Sequence, residues 1–539
     1  MRKTAITVML MFAAVIGYAQ SAYDGLLFSE NNYEGTARSV AMGNAFTALG
    51  GDLGSITINP AGSAVAGYSQ FTISPGLSIT SSTAQGVSPF SDGSLPYFER
   101  KMKSNMTRFS IPNMGLTINW DTNRSSGLKN MTFGFVINKS ASWDQDVYAS
   151  GTNYTTTFMG AMAVDATGYL ASDLNASDAY EYYPWSTVVG YQSGMISTFG
   201  GYDDEYVGAS ELVFDNGDIV LGGDIQQTYG RRVTGGKYDY AFNFGANISD
   251  FLYLGANIGI SSLDYGYDEY FKEAAMDPSD FEIALDNGEY MYFSQMKYRY
   301  WYEAEGSGAY AKFGAIITPG AGLRIGAAVQ TPVMNTITER WGYSGSTEFT
   351  SSSYNGYATS PDGEYSYSFN SPLRANFGLA YTIGGVAVVS ADYELCDYSQ
   401  MRFKSLYNGD REYFDEVNDG IREIFGMQHM LRLGAELNLG TLAVRGGYNM
   451  TTSPEKHYEG SYRQNFSLGL GYNSKGSFFA DFAVRKNIYN NEYYMPYSDY
   501  IFNEDGSIAE PVPEILIRRS DWKVLLTLGW RFETKKEAD

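Results

Sequence analysis

The stretch Trp522-Lys523-Val524-Leu525-Leu526-Thr527-Leu528-Gly529-Trp530-Arg531-Phe532 decides the fold. Every even position is large and apolar, while the odd face carries Lys523, Thr527, Gly529 and Arg531. Successive side chains of a strand point to opposite faces, so this segment has one greasy and one polar wall. Such a strand suits a barrel whose outside meets lipid and whose lumen is polar. Its aromatic end also fits an outer-membrane assembly signal, although a short charged tail follows it.

The same alternation recurs upstream. Tyr238, Tyr240, Phe242, Phe244, Ala246 and Ile248 lead through Ser249-Asp250 into Leu252, Leu254, Ala256, Ile258 and Ile260. Further hairpins turn at Pro319-Gly320, at Gly440 and at Ser474-Lys475-Gly476. Alternation predicts fourteen strands: 68–80, 107–120, 130–140, 237–248, 251–265, 308–318, 321–335, 372–382, 385–398, 429–438, 441–451, 462–473, 477–488 and 521–532. The number is even, as single-chain bacterial barrels require, and short connections alternate with long ones. The longest, 141–236, is rich in Tyr, Gly and Asp and is expected to fold over one mouth. A soluble β-sandwich would not alternate short and long connections along its whole length.

The one long apolar run is N-terminal: Arg2-Lys3, then Thr4 to Ile16, then Gly17-Tyr18-Ala19. This reads as a signal peptide over 1–19. The rest divides into a small-residue segment over 20–67, a barrel over 68–532 and a tail over 533–539. Both termini are expected in the periplasm, with the chain monomeric, facing bilayer and lipopolysaccharide, and inserted by the barrel-assembly machinery. The net charge of -23 argues against a nucleic-acid partner. The 46 tyrosines suit aromatic girdles at two bilayer interfaces. One cysteine, Cys396, precludes an intramolecular disulfide, and two histidines give neither a zinc cluster nor a nucleophile–base pair, so no cofactor and no catalysis are expected. Asp203-Asp204-Glu205 and Asp215-Asn216-Gly217-Asp218 lack the spacing of a dedicated calcium loop and read as solvated charge.

Residues 35–62, GTARSVAMGNAFTALGGDLGSITINPAG, are too poor in bulk to build a core, but small side chains let a backbone pack inside something else. The segment reads as a hatch within the lumen. It ends in Asn59-Pro60-Ala61-Gly62 just before the first strand, where Pro60 fixes φ and Gly62 frees the next bend. On this motif, on SPLRANFGLAYTIGGVAVVSADYELCDYS, on HMLRLGAELNLGTLAVRGGYNM and on NFSLGLGYNSKGSFFADFAVR, the chain resembles the FadL-type outer-membrane transporters of long-chain fatty acids and aromatic hydrocarbons. The resemblance implies a fourteen-stranded barrel and passive, hatch-gated movement of hydrophobic molecules. It also implies a kinked early strand that opens the wall sideways. Gly134 is the candidate kink, its alternative being an ordinary strand glycine.

The polar faces assign Lys312, Arg324, Arg374, Arg432, Arg445, Arg485, Lys523 and Arg531 to the lumen, against Asp392, Glu436 and Asp481. One reading makes Arg324, Arg374, Arg432, Arg445 and Arg485 a ladder that draws in a carboxylate, since Arg grips carboxylates bidentately. The other pairs the ladder with itself and with hatch acids such as Asp24, Glu34 and Asp52. Two further functions fit the composition: a receptor or adhesin barrel whose Tyr-rich loops bind a protein or a haem-like ligand, and a lipid-acting barrel enzyme.

Overall fold

The computed structural model describes residues 21–88, 97–214, 217–285, 288–407, 411–457, 462–474 and 477–532. The expected signal peptide, the charged tail, Lys475-Gly476 and Asp215-Asn216 lie outside the described residues. Fourteen antiparallel strands close on themselves: β1 Ser69–Val87, β2 Met102–Asp121, β3 Leu128–Ser142 continuing as Gln145–Asn153, β4 Ile225–Ile248, β5 Leu252–Ala275, β6 Tyr290–Gly320, β7 Leu323–Gln330 continuing as Met334–Phe349, β8 Gly363–Asn370 continuing as Arg374–Ile383, β9 Ala387–Asp397 continuing as Arg402–Ser405, β10 Met427–Asn438, β11 Leu442–Thr452, β12 Tyr462–Asn473, β13 Phe478–Tyr494 and β14 Glu514–Phe532. The ring closes where β14 pairs with β1, from Ser69↔Phe532 to Val87↔Glu514.

Burial is inverted relative to a water-soluble protein. Leu468 is 71% exposed, Ile258 68% and Phe109 67%, whereas Lys312 and Arg432 are fully buried. Apolar side chains face outward and charges inward, a pattern that is stable only with lipid around the wall. On β14, Trp522, Leu526 and Phe532 face out while Asp521, Lys523 and Thr527 are buried. Connections between strands are short at one end. There Ser249 and Asp250 hold φ of 58° and 54°, the left-handed pair of a tight hairpin turn.

All fourteen expected strands exist, but many run much farther at the long-loop end. β6 begins at Tyr290 rather than 308, and β5 ends at Ala275 rather than 265. These extensions alternate Tyr with charged residues because they rise beyond the lipid, so the apolar face that marks a spanning segment disappears. The expected loop 141–236 is likewise shorter than read. Gln145–Asn153 pairs with β4 from Gln145↔Val233 to Asn153↔Ile225, leaving the segment between them as a folded cap. That cap includes helices Phe158–Ala166 and Trp185–Gln192.

Residues 21–67 lie inside the ring. Helix α1, Ala22–Ser29, starts with a capping box between Ser21 and Asp24. The short helix α2, Ala37–Ala41, and 3-10 turns Leu53–Thr57 and Pro60–Val65 follow.

Candidate functional site

The lumen has a floor, a column and a capped mouth, built by different residue types. The floor is the hatch from Glu34 to Gly62, seated on wall glycines. A Cβ at Gly255 on β5 would overlap the Pro60 carbonyl and the Ala61 amide. One at Gly314 on β6 would overlap the Asn59 side chain, and at Gly326 on β7 the Thr47 carbonyl. Glycine is required because the hatch backbone lies against the wall backbone. Asn59 fastens the seat: its side-chain amide donates to the Thr47 carbonyl at 2.6 Å and to the Ala315 carbonyl of β6 at 3.2 Å. Its Oδ1 accepts from the Ala61 amide, capping the turn that Pro60 opens. The sequence-assigned motif Asn59-Pro60-Ala61-Gly62 is therefore wholly buried at the hatch–wall contact.

Charges complete the floor. Arg432 lies between Glu394 at 3.0 Å and Asp392 at 3.7 Å, and Asp392 in turn accepts from the Thr47 amide and hydroxyl. Arg374 pairs with Glu394 at 2.9 Å and donates to the Ser29 carbonyl. Arg445 bridges Glu436 and Asp481, and the hatch contributes Arg38 to the same Glu436 at 2.9 Å. Lys523 pairs with Glu34 of the hatch, with Arg485 3.9 Å from the same carboxylate. Arg324 donates to the Leu49 carbonyl at 2.6 Å. All five ladder arginines thus contact wall acids, hatch acids or hatch backbone. Of the three expected hatch acids, Glu34 meets the ladder, whereas Asp24 accepts from Ser21 and Asp52 from Thr36. Sequence reading overlooked Glu394 and Arg38. Glu394 was legible, lying two residues from Asp392 on the same strand face.

Above the floor stands a column of aromatic side chains. Phe28 of α1 packs among Tyr302, Trp341, Tyr367, Phe369, Tyr398 and Phe403 from four wall strands, Tyr398 in the turn between the two parts of β9, with Tyr23, Leu26 and Leu27 alongside. Helix Arg411–Ile424 covers them with Phe414 and Ile421. Trp185 of the cap stacks near Trp341, 6.0 Å between ring centres, joining the column to the apolar cluster of the cap.

The cap spans the mouth. Tyr97 before β2 donates to or accepts from Thr155 at 2.7 Å, and Tyr500 before β14 donates to Glu211 at 3.5 Å. On the opposite side of the ring, Gly345 of β7 lies against Val189 and Ser193. Burial pushes the Glu211 carboxyl up to about 7, and burial with the nearby Glu211 charge raises the Tyr500 hydroxyl.

The wall is interrupted beside the column. β2 and β3 pair from Asp121↔Asn130 to Asn113↔Asn138 and not beyond. The next β2 residue is Pro112, which has no N–H to donate. Pro75 on the adjacent β1 sits in a bulge between Ser74 and Gly76. β3 itself breaks at Trp143-Asp144, with a register shift between Lys139 and Ala141. A recess of about 250 Å³ opens there, lined by Arg108, Phe109, Lys139, Asp144, Gly235 and Tyr238 among others. Arg108 spans it to Asp144 at 3.5 Å. Ala141, Trp143, Val233 and Leu263, which flank the recess, belong to the column cluster. At Gly134 the ladders to Thr117 and Asn243 run without a register shift, as they would at an ordinary strand glycine. Pro112 inside an otherwise alternating strand was the signal that sequence reading passed over.

No family model and no curated protein matches the chain. Solved structures do. The Pseudomonas putida toluene transporter TodX superposes with a TM-score of 0.51 at 11% identity, over 93% of this chain and all of that one. A Pseudomonas aeruginosa FadL homologue gives 0.49 at 10% identity over 93% and 98%. The Ralstonia pickettii toluene transporter TbuX gives 0.44 at 13% over 93% and 100%. The likeness to TodX shows a shared fold, a closed antiparallel β-barrel.

Proposed function

We propose that the chain is an outer-membrane channel of the FadL type. Small hydrophobic compounds, long-chain fatty acids foremost, would pass through it down their gradient without an energy source of the protein's own. One observation carries the reading: an apolar column runs from the capped mouth to a break in the wall, above a floor that is closed by backbone contact and ion pairs. A hydrophobic solute entering the column meets aromatic faces, whereas the floor offers it only charges and backbone.

In this reading the hatch divides into two parts. The segment around Asn59-Pro60-Ala61-Gly62 is an anchor, held by the glycine seat. Helix α1 is the gate. It fills the column with Phe28, and wall cations hold its end: Lys237 at the Phe28 and Glu30 carbonyls, Arg374 at the Ser29 carbonyl, and Arg463 at the Glu30 carboxylate, 3.1 Å away. Displacement of α1 frees the column down to the recess, and the solute leaves sideways into lipid. Arg324, Arg374, Arg432, Arg445 and Arg485 serve mainly to clamp hatch and wall. A carboxylate head would meet Arg374 only after α1 has moved. That the fold is shared with a toluene transporter makes aromatic hydrocarbons the alternative cargo.

The test is uptake of labelled oleate and, in parallel, labelled toluene by a host lacking its own fatty-acid transporter, with this chain in its outer membrane. Uptake of either above an empty-vector control supports the channel. No uptake of either, with a heat-modifiable barrel present, rejects it.

A further inference from the structure

Across four neighbouring wall strands, β13, β14, β1 and β2, four outward-facing cations from β13, β14 and the start of β2 flank a β1 that has no charge of its own, and no carboxylate pairs with them. Lys486 lies level with Trp522, Ile79 and Thr107. Arg518 lies level with Thr83 and Lys103, and Lys101 follows two residues beyond. Lys101, Lys103 and Arg518 are exposed. Lys486 donates to the Ser520 hydroxyl at 2.9 Å and sits 4.8 Å over the Trp522 ring. Among the described residues none of the four is within ion-pair distance of an acid. Glu99 and Glu514, the acids on this face, lie at its upper edge. Other outward cations are paired, Arg232 with Asp146 at 2.8 Å, Arg299 with Asp268 and Arg340 with Glu364 at 2.7 Å, or, like Lys272 and Lys297 on β5 and β6, stand much farther above the lipid-facing band.

The height of the cluster is fixed by register. The row below Lys486 is Val484, Val524, Leu77 and Phe109, the top of the lipid-facing band. Four residues along a strand tilted by ~40° bring Arg518 and Lys103 about 10 Å above Trp522. A bilayer's polar layer begins at the aromatic girdle and is roughly 5 to 8 Å deep on each side. The cations therefore bracket the headgroup layer, in a chain whose net charge of -23 would otherwise repel anionic lipid.

We propose that this face binds the phosphorylated headgroup of a glycolipid of the outer leaflet, with the acyl chains along Phe109, Leu77 and Val524. The planar guanidinium of Arg518 takes a phosphate bidentately while Lys103 and Lys486 supply point charges. Free inorganic phosphate offers the same charge but no acyl chains for the apolar row. The proposal rests on the outer-membrane reading, with the long-connection end outward.

The test titrates the purified, heat-modifiable full chain in neutral detergent with bis-phosphorylated lipid A, with the same lipid stripped of phosphate, and with inorganic phosphate. The double variant Lys103→Ser/Arg518→Ser is compared with Lys272→Ser/Lys297→Ser. The latter pair faces outward level with each other twelve residues beyond Ile260 on β5, far above any headgroup. Loss of two charges at the lower site should weaken lipid A binding roughly thirtyfold. The upper variant should stay within twofold of the wild type, and phosphate-free lipid should bind all three alike. Equal affinity of both variants, no preference for the phosphorylated lipid, or equally tight binding of inorganic phosphate would overturn the proposal. Because the titration involves no transport, failed uptake with intact lipid A discrimination would count against the channel and not against this site.

Discussion

The floor and the column of the same lumen are packed by opposite means. In the floor, hatch backbone lies on wall glycines, and buried ion pairs tie Arg432, Arg445 and Lys523 to acids on both partners. In the column, aromatic side chains from the wall surround one helix, and the charges that reach them, Glu339 at Tyr367 and Arg374 at Tyr398, meet their hydroxyls. Backbone-to-backbone contact and buried ion pairs have one good geometry, and removing one partner leaves an uncompensated charge. Aromatic faces tolerate many arrangements and serve equally well against a helix or a hydrophobic guest. A plug must resist displacement in one half and permit it in the other, and the division of residue types supplies both.

The sharpest way to break this contrast is Arg432→Met. It leaves Asp392 and Glu394 facing each other in a fully buried site, so unfolding stability should fall by about 3–5 kcal/mol. The fall is read as a lower temperature of heat-modifiable gel mobility, and adding Glu394→Gln should restore part of it. If the floor were a loose plug, the single variant would lose less than 1 kcal/mol.

The mouth should instead respond to pH. Glu211 ionises near 7 in the folded cap, against about 4.3 for a free glutamate. Its native pKa is raised, so the folded cap keeps a proton that the opened cap releases, and stability falls as pH rises from 4.3 to 7 and then levels off. The span corresponds to at most about 4 kcal/mol. The groups facing it are Tyr500, Glu273 and the Gly208 amide. Hydrogen exchange across 158–192 should quicken between pH 5 and 7.5, and Glu211→Gln should flatten that response. An unchanged slope in the variant would assign the titration elsewhere.

A smaller floor effect is expected from Gly255→Ala. One methyl placed against Pro60 and Ala61 forces the seat apart, a strain of about 1–3 kcal/mol. Ionic conductance of the reconstituted barrel should rise while its strands remain intact. The same substitution at Gly446 of β11, where an added Cβ would meet only Leu468 at ordinary contact distance, should leave conductance at the wild-type level.

The barrel was legible because lipid imposes a strict two-residue period wherever a strand crosses it. The signal fades where strands such as β5 and β6 rise into solvent, since Tyr267, Asp268 and Tyr300 no longer need opposite surroundings. The position of Asn59-Pro60-Ala61-Gly62 was legible from small residues ahead of the first strand, but its partners were not. Gly255, Gly314 and Gly326 are distant in sequence, and a glycine in a strand does not announce what approaches it. Likewise, strand parity assigned Arg432 to the lumen but could not tell a free cation from one held between Asp392 and Glu394. Sequence offered Gly134 as a possible kink or an ordinary strand glycine but did not point to Pro112, the residue at which the β2–β3 ladder ends.

The smallest effect tests the exit. Arg108 is half exposed and reaches Asp144 at 3.5 Å across the recess, so the pair contributes less than about 1 kcal/mol to stability. Arg108→Ala should therefore leave the melting behaviour of the barrel unchanged. If solute leaves through this recess, removing the bridge lowers a barrier on its path, and uptake should rise by about twofold to fivefold, the factor that up to 1 kcal/mol allows. Joining the floor to the wall by a disulfide in Ala64→Cys/Gly245→Cys should leave that rise intact, because the anchor does not move in this route. Loss of uptake on forming the disulfide would instead send the solute through the floor and reverse the roles assigned to the two halves of the hatch.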